Sequence, residues 1–422
     1  MNRPTRAWRT AAVLASATLA LTACGSDPGS EDSGDDASPS AAAKAGDGTL
    51  TIGTLLPQTG DLAFLGPPEF AGVDLAVQQI NAAGGVDGKK IVQAKADSGD
   101  GTPDIAGASV DKLLAANVDA IVGAASSNVS KSVIDKITGE GVVHFSPANT
   151  AAGFDEYPDK NLYFRTAPSD ALQGKVLANL AVKDGFKNVA VLARQDFYGE
   201  GLANSTAENL EKAGATVTDK VLYNADAETF TAEVNKIAAK KPEAIVLVAF
   251  EETTKIIPQL VAKGLGPKDI QIYFVDGNLA DYSKETFDLK GVKGTLPSPS
   301  KVDPAFNKSL MKVNPKLKDF SYGAQSYDAV MMTALAALEA KDDSGKAISS
   351  KLIGISREGT PCTGWEECSA LVEKGEDIDY EGASGPTDMN DTGSPSKGTI
   401  GVYEYGTNNK YKQVDSVSGI VD

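Results

Sequence analysis

From residue 50 to residue 275 the chain repeats one pattern, a short apolar run followed by an amphipathic helical stretch. Strands are predicted at 50–56, 90–96, 120–122 and 142–145, with helices near 70–83, 104–116 and 129–138 between them. Parallel strands need a crossover of helix length, so alternation of this kind predicts an α/β layered domain. After Arg165 the rhythm restarts. Strands are predicted at 188–193, 216–223, 244–249 and 271–275, and helices near 171–183, 201–213, 230–239 and 253–263. Two units of about 120 residues each predict a two-lobed molecule. The halves share rhythm, not residues. A chain of 422 residues with 41% hydrophobic residues can fill two ordinary cores.

Past Gly294 the texture changes to Pro297, Pro299, Pro304 and Pro315, then a long apolar helix near 322–338. A Gly- and Asp-rich region at 375–397 and an alternating strand at 398–405 follow. This tail is too short for a third domain. It is expected to cross back and complete both lobes.

The N-terminus carries a different signal. Arg3, Arg6 and Arg9 precede an apolar run at 11–21, and small Ala23 precedes Cys24 and Gly25. That order predicts a secretory signal peptide over 1–23. The apolar run is about half of the roughly 20 residues a spanning helix requires. Cys24 at this junction resembles the lipobox of bacterial lipoproteins, which implies a diacylated thiol at the new N-terminus. The other reading is an ordinary cleavage site with an incidental cysteine. Residues 24–48, rich in Gly, Ser and Asp, have no apolar periodicity and read as a disordered acidic linker. The chain is expected outside the cytoplasm, anchored to the bacterial cell membrane through Cys24 alone.

The formal net charge of −17 argues against nucleic acid as a partner, since that recognition rests on clustered Lys and Arg. Cys362 and Cys368, in an oxidising compartment, are expected to form a disulfide. With His144 as the single histidine and distant from both, no metal site is expected, and no cofactor either. His144 lies in an apolar run and reads as a packed residue. A nucleophile elbow of the form Gly-x-Ser-x-Gly is absent. The segment Gly84-Gly85-Val86-Asp87-Gly88-Lys89 lacks the spacing of a phosphate loop and reads as a turn. An extracytoplasmic hydrolase is therefore the weakest reading, and the chain is expected not to be an enzyme.

Several segments carry a resemblance. They are Gly53-Thr54-Leu55-Leu56-Pro57-Gln58-Thr59-Gly60, Ile80-Asn81-Ala82-Ala83-Gly84-Gly85-Val86 with Gly72, Ser146-Pro147-Ala148-Asn149-Thr150, Tyr198-Gly199-Glu200-Gly201 and Tyr327-Asp328-Ala329. In this order over residues 50–405, the chain resembles the branched-chain amino-acid (leucine/isoleucine/valine-type) substrate-binding lipoproteins of ABC transporters, in the type I periplasmic binding protein family. The resemblance implies two Rossmann-like lobes with parallel central sheets, joined by a three-segment hinge that closes like a flytrap. It implies residues 49–166 with 296–382 in one lobe and 167–295 with 383–422 in the other. It further implies a monomer whose partners are an amino acid and the permease subunits of an ABC importer.

Both charges of an amino acid lose water when lobes close over it, so each needs donors or an opposite charge. For the carboxylate, the loop Gly123-Ala124-Ala125-Ser126-Ser127-Asn128 offers hydroxyls and a helix N-terminus. Ala148, Asn149 and Thr150 fall at the same carboxyl edge of the predicted sheet, where ligands bind. The resemblance places the carboxylate contacts on Ser127 and Thr150 and a backbone carbonyl contact at Ala148 or Asn149. For the ammonium it points to Asp276, at the end of the strand at 271–275. Read alone, Asp276 could equally cap a helix or form a turn. Leu65, Tyr198, Phe250 and Tyr322 fall at positions of an apolar pocket wall, although each could instead be packing. Asp276 in place of a glutamate, Leu65 in place of an aromatic and the amide of Asn149 leave a polar or larger amino acid, or an amide, open as ligand. A sensing lipoprotein working with a membrane receptor is the alternative to transport.

Overall fold

The strand β1 (Thr51–Leu56) is buried at every position but its first, as a strand covered by helices on both faces must be. This computed structural model describes residues 45–100, 103–299 and 303–421; the expectations for the signal peptide and Cys24 lie outside them. After β1 come α1 (Gly66–Ala82), β2 (Val92–Asp97), α2 (Pro103–Ala115), β3 (Ala120–Gly123), α3 (Ser127–Gly139), β4 (Val143–Ser146) and β5 (Tyr163–Arg165). The five strands pair in the order β2-β1-β3-β4-β5, all parallel. β5 has no counterpart among the predicted strands. Its three residues include Arg165, fully buried.

The second unit runs α4 (Asp170–Lys183), β6 (Asn188–Arg194), α5 (Phe197–Lys212), β7 (Thr216–Tyr223), α6 (Thr231–Lys240), β8 (Ala244–Val248), α7 (Thr253–Ala262), β9 (Gln271–Phe274) and β10 (Lys293–Pro297). The tail adds α8 (Pro304–Val313), α9 (Gly323–Ala340), α10 (Gly345–Leu352), β11 (Thr360–Cys362), α11 (Gly364–Glu373), β12 (Ile378–Gly382), β13 (Gly385–Pro386), β14 (Lys397–Tyr405) and β15 (Tyr411–Ile420). The second sheet has the order β15-β14-β10-β9-β8-β6-β7. Its strands from β6 to β10 are parallel, and β14 and β15 extend it antiparallel. Within β6–β10 the order repeats that of the first sheet, so the shared rhythm of the two halves reflects a shared topology. The third, small sheet is β11-β12-β13, and the expected disulfide joins Cys362 in β11 to Cys368 in α11.

The fold is the expected one: two α/β lobes joined by three crossings of the chain. The crossings lie between β5 and α4, between β10 and α8, and between β13 and β14. The long helix of the tail, α9, is buried along almost its whole length and packs on α1. The approach is so close that a Cβ on Gly72 would sit 2.1 Å from the Gly323 carbonyl oxygen. Glycine at position 72 is therefore a packing requirement. The two largest apolar cores lie one against each large sheet, and a smaller one fills the space between the first sheet and α2 and α3. Leu62 and Leu65, from the loop after β1, pack with the core of the opposite lobe.

Candidate ligand-binding site

In both large sheets the strand order reverses at the first strand, β1 in one and β6 in the other. Loops leaving the carboxyl ends of neighbouring strands part at such a point and leave a crevice. Here the two crevices face each other. Leu62 and Leu65 come from the loop after β1, Ala125, Ser126 and Ser127 from the end of β3, and Ala148 and Thr150 from the end of β4. Opposite them stand Tyr198 after β6, Phe250 after β8, and Asp276 and Gly277 after β9, with Tyr322 from the turn that opens α9. The space enclosed is about 20 Å³, room for a single water molecule. A larger guest requires the lobes to part.

The first-lobe wall is a set of donors at a helix end. Ser126 caps α3, its hydroxyl accepting from the Val129 N–H at 3.4 Å, which brings the positive end of the α3 dipole to the space. The Ser127 hydroxyl accepts from the Ala151 N–H at 3.4 Å and keeps its own proton to donate. The Thr150 hydroxyl is buried beside Asp170 without meeting hydrogen-bond geometry.

The second-lobe wall is built around one carboxylate. Asp276 Oδ1 accepts from the Tyr198 hydroxyl at 2.6 Å and from Gln173 Nε2 at 2.8 Å. Its Oδ2 accepts from the Tyr322 hydroxyl at 2.8 Å. Burial raises the affinity of Asp276 for a proton, and the three donors pull it back. Asp170 lies next to it, fully buried, and its Oδ1 accepts from Gln173 Nε2 at 3.3 Å. Burial first, and then the charge of Asp276, push the Asp170 carboxyl well above the usual carboxylate range. Asp170 Oδ2 and Gln173 Oε1 are buried and have no hydrogen-bond partner. Such acceptors are costly unless something donates to them. Asp276 lines the enclosed space, and Asp170 and Gln173 stand outside its lining.

The rest of the wall is apolar and rigid. The rings of Tyr198 and Phe250 stack with centroids 5.6 Å apart. The Arg194 guanidinium lies 3.5 Å over the Phe250 ring and is itself held by Asp196 at 2.6 Å and Glu252 at 3.0 Å. A Cβ on Gly277 would come within 2.6 Å of the Phe250 ring, so the chain at Asp276 runs directly against that aromatic.

Nine of the ten residues singled out from the sequence line this space, and Asn149 does not. Its amide donates to the Ala124 and Ala125 carbonyls at 3.0 and 2.9 Å and accepts from the Tyr163 hydroxyl at 2.9 Å. Every polar atom of that side chain is turned into the lobe, so it adds no polarity to the pocket. Asp170 and Gln173 were not anticipated. They sit one turn apart on the buried face of α4, and polar residues on a buried helix face were the signal for them. Among the described residues no group of three or more His, Cys, Asp or Glu side chains could hold a metal.

One family profile, that of the periplasmic binding proteins, matches residues 49–394. The chain belongs to the periplasmic binding protein family. This periplasmic binding protein is 29% identical over 197 residues to the Leu/Ile/Val-binding protein homolog 3 of Brucella melitensis, a match covering 46% of this chain and 53% of that relative. The chain thus spans about half the length of that relative. It is 24% identical over 364 residues to the chemotactic signal transduction system substrate-binding protein BasB of Halobacterium salinarum, covering 83% of this chain and 86% of that one. In fold it is similar to the crystal structure of the branched-chain amino acid transporter substrate-binding protein LivJ from Streptococcus pneumoniae in complex with isoleucine. The TM-score is 0.72 at 24% identity, over 88% of this chain and 100% of that one. The family is one of solute-binding proteins that work outside the cytoplasm. Among the described residues no helix is long and apolar enough to cross a membrane.

Proposed function

We propose that this periplasmic binding protein captures a free amino acid with an apolar side chain between its lobes and delivers it to an ABC importer. The observation that carries the reading is the opposition of two polar walls. The α3 N-terminus with Ser126, Ser127 and Thr150 suits a carboxylate, and Asp276, held from outside the lining by Gln173, suits an ammonium. Leu65, Phe250 and the ring faces of Tyr198 and Tyr322 suit an apolar side chain. The lobes would part at the three crossings to admit the ligand and close on it as a monomer. The names of the Brucella relative and of LivJ, with its isoleucine, support an aliphatic ligand. Cleavage before Cys24 and acylation of its thiol would hold the domain at the membrane surface beside the permease.

Micromolar capture needs about 8 kcal/mol, within reach of one fully paired zwitterion and an apolar pocket. Calorimetry of the purified protein against the amino acids and common amides tests the reading. At least one aliphatic or aromatic amino acid is expected to bind and to raise the melting temperature. Its deaminated analogue should bind far more weakly. Binding of a sugar alone, or equal affinity for the deaminated analogue, would overturn it.

The match to BasB over most of both chains favours one second reading, a receptor that reports the ligand to a signalling partner. Uptake of labelled ligand by cells lacking the gene separates the two. Lost uptake supports transport, and normal uptake with lost taxis supports sensing.

A further inference from the structure

Arg165 closes β5 and its side chain is fully buried, yet it stands outside the lining of the interlobe space. Burying a guanidinium is costly unless its N–H groups meet acceptors. Here the acceptors come from three separate places. Nε donates to the Ser394 hydroxyl at 2.8 Å, and Nη2 donates to Asp155 Oδ1 at 2.6 Å. Nη1 donates to the carbonyls of Asn149 at 3.3 Å and Ala151 at 2.9 Å. The Ser394 hydroxyl in turn donates to the same Asp155 oxygen at 2.5 Å.

The two carbonyls on Nη1 flank Thr150. The carbonyl between them, that of Thr150 itself, accepts from the Asp170 N–H at 2.7 Å. All three consecutive carbonyls of residues 149–151 are therefore held, and the Ala151 N–H donates to the Ser127 hydroxyl at 3.4 Å. Ser127 and Thr150 both line the space from the first lobe. A planar fork of donors fixes such a segment in place and angle, which a flexible ammonium does not.

The remaining partners of Arg165 are at the hinge. Arg165 immediately precedes the crossing between β5 and α4, and Ser394 lies in the crossing between β13 and β14. The Arg165 N–H also donates to the Gly393 carbonyl at 3.0 Å, so backbone and side chain both join these two crossings.

We propose that Arg165 is a positioning residue for the ligand carboxylate. Without touching the ligand, it fixes the segment that carries Thr150 and ties that segment to two of the three hinge crossings. The proposal rests on the amino-acid reading of the interlobe cleft and names the group that sets its carboxylate wall.

Calorimetry with isoleucine, isoleucinamide and the deaminated acid of isoleucine tests it. The wild-type protein should prefer isoleucine to both analogues. Arg165→Lys keeps the charge and loses the fork, so the preference over isoleucinamide should shrink about tenfold or more. The preference over the deaminated acid is set by Asp276 in the other lobe and should be unchanged. Ser394→Ala leaves Arg165 in place and frees its Nε. It should shrink the first preference by a smaller factor, and it decides the matter if Arg165→Lys fails to fold. An unchanged preference over isoleucinamide in the folded variants would overturn the proposal and leave the cleft reading intact. So would a proportionate fall of both preferences, which would make Arg165 a general support of the fold. A wild-type protein that binds none of the three probes would overturn the proposal together with the aliphatic reading of the ligand.

Discussion

The Tyr322 hydroxyl donates to Asp276 Oδ2 at 2.8 Å, tying the turn that opens α9 to the end of β9. A hydrogen bond to a charged group contributes about 1.5–3 kcal/mol. Tyr322→Phe removes that donor and keeps the ring, so amino-acid affinity is expected to fall about tenfold or more. Asp276→Asn removes the charge itself and should lower affinity further, while leaving the deaminated analogue's affinity nearly unchanged. Calorimetry on both variants checks this. Unchanged amino-acid affinity in Asp276→Asn would remove that residue from the site.

Ligand capture should release a proton. Burial and the charge of Asp276 hold Asp170 well above its ordinary pKa in the unliganded protein. An ammonium beside Asp276 favours the charged forms of both neighbouring carboxyls and brings that pKa down. Affinity is therefore expected to fall as pH drops below the raised pKa of Asp170, and to level off above it. Calorimetry at one pH in buffers of different ionisation enthalpy reads the proton directly. The dependence should vanish in Asp170→Asn.

His144 sets an acid limit on stability. Burial lowers its pKa to about 3, and its ring stands edge-on to Tyr163 at 5.3 Å. The neutral form is the folded form, so the stabilisation is complete above the ordinary pKa near 6.5 and is lost as pH falls toward about 3. By about pH 5 the loss amounts to roughly 2 kcal/mol. His144→Phe should lose less stability between neutral pH and pH 5 by about that amount, measured by denaturant unfolding. Glu69, buried without a partner and with a raised pKa, acts in the opposite sense. The difference between the two proteins isolates His144.

The disulfide is expected to matter locally. Cys362 and Cys368 close a loop of sequence separation six, which removes about 2 kcal/mol of denatured-state entropy in the chain-entropy model. Neither residue lines the interlobe space. The double replacement Cys362→Ser with Cys368→Ser should lower the melting temperature by a few degrees and leave ligand affinity within twofold. A large loss of affinity would show that the β11–β13 sheet supports the site.

Most strands of the two large sheets were legible as apolar runs, but β5, β10 and β15 were not. Helix starts were less so. α1 and α5 begin about one turn earlier than their apolar residues suggest, because Pro67 and the Asp196 cap define their first turns. β5 escaped because it is three residues long and ends in the charged Arg165. That guanidinium is satisfied by Asp155 at 2.6 Å, Ser394 at 2.8 Å and the Ala151 carbonyl at 2.9 Å, and Ser394 lies far away in sequence. β15 escaped because it is an edge strand with mostly exposed side chains. In the site, the residues at strand ends were legible, since strand ends are where a parallel sheet binds. Asp170 and Gln173 are marked as polar residues on a buried helix face, but no local pattern announces that Gln173 meets Asp276 across 103 positions.

Most of the residues lining the interlobe space follow a strand end, while the strands themselves are buried behind them. Selectivity and foldability are thereby written in different parts of the polypeptide. A lineage carrying this scaffold can trade one nutrient for another by exchanging a few loop residues, with little disturbance to the sheets that keep both halves intact.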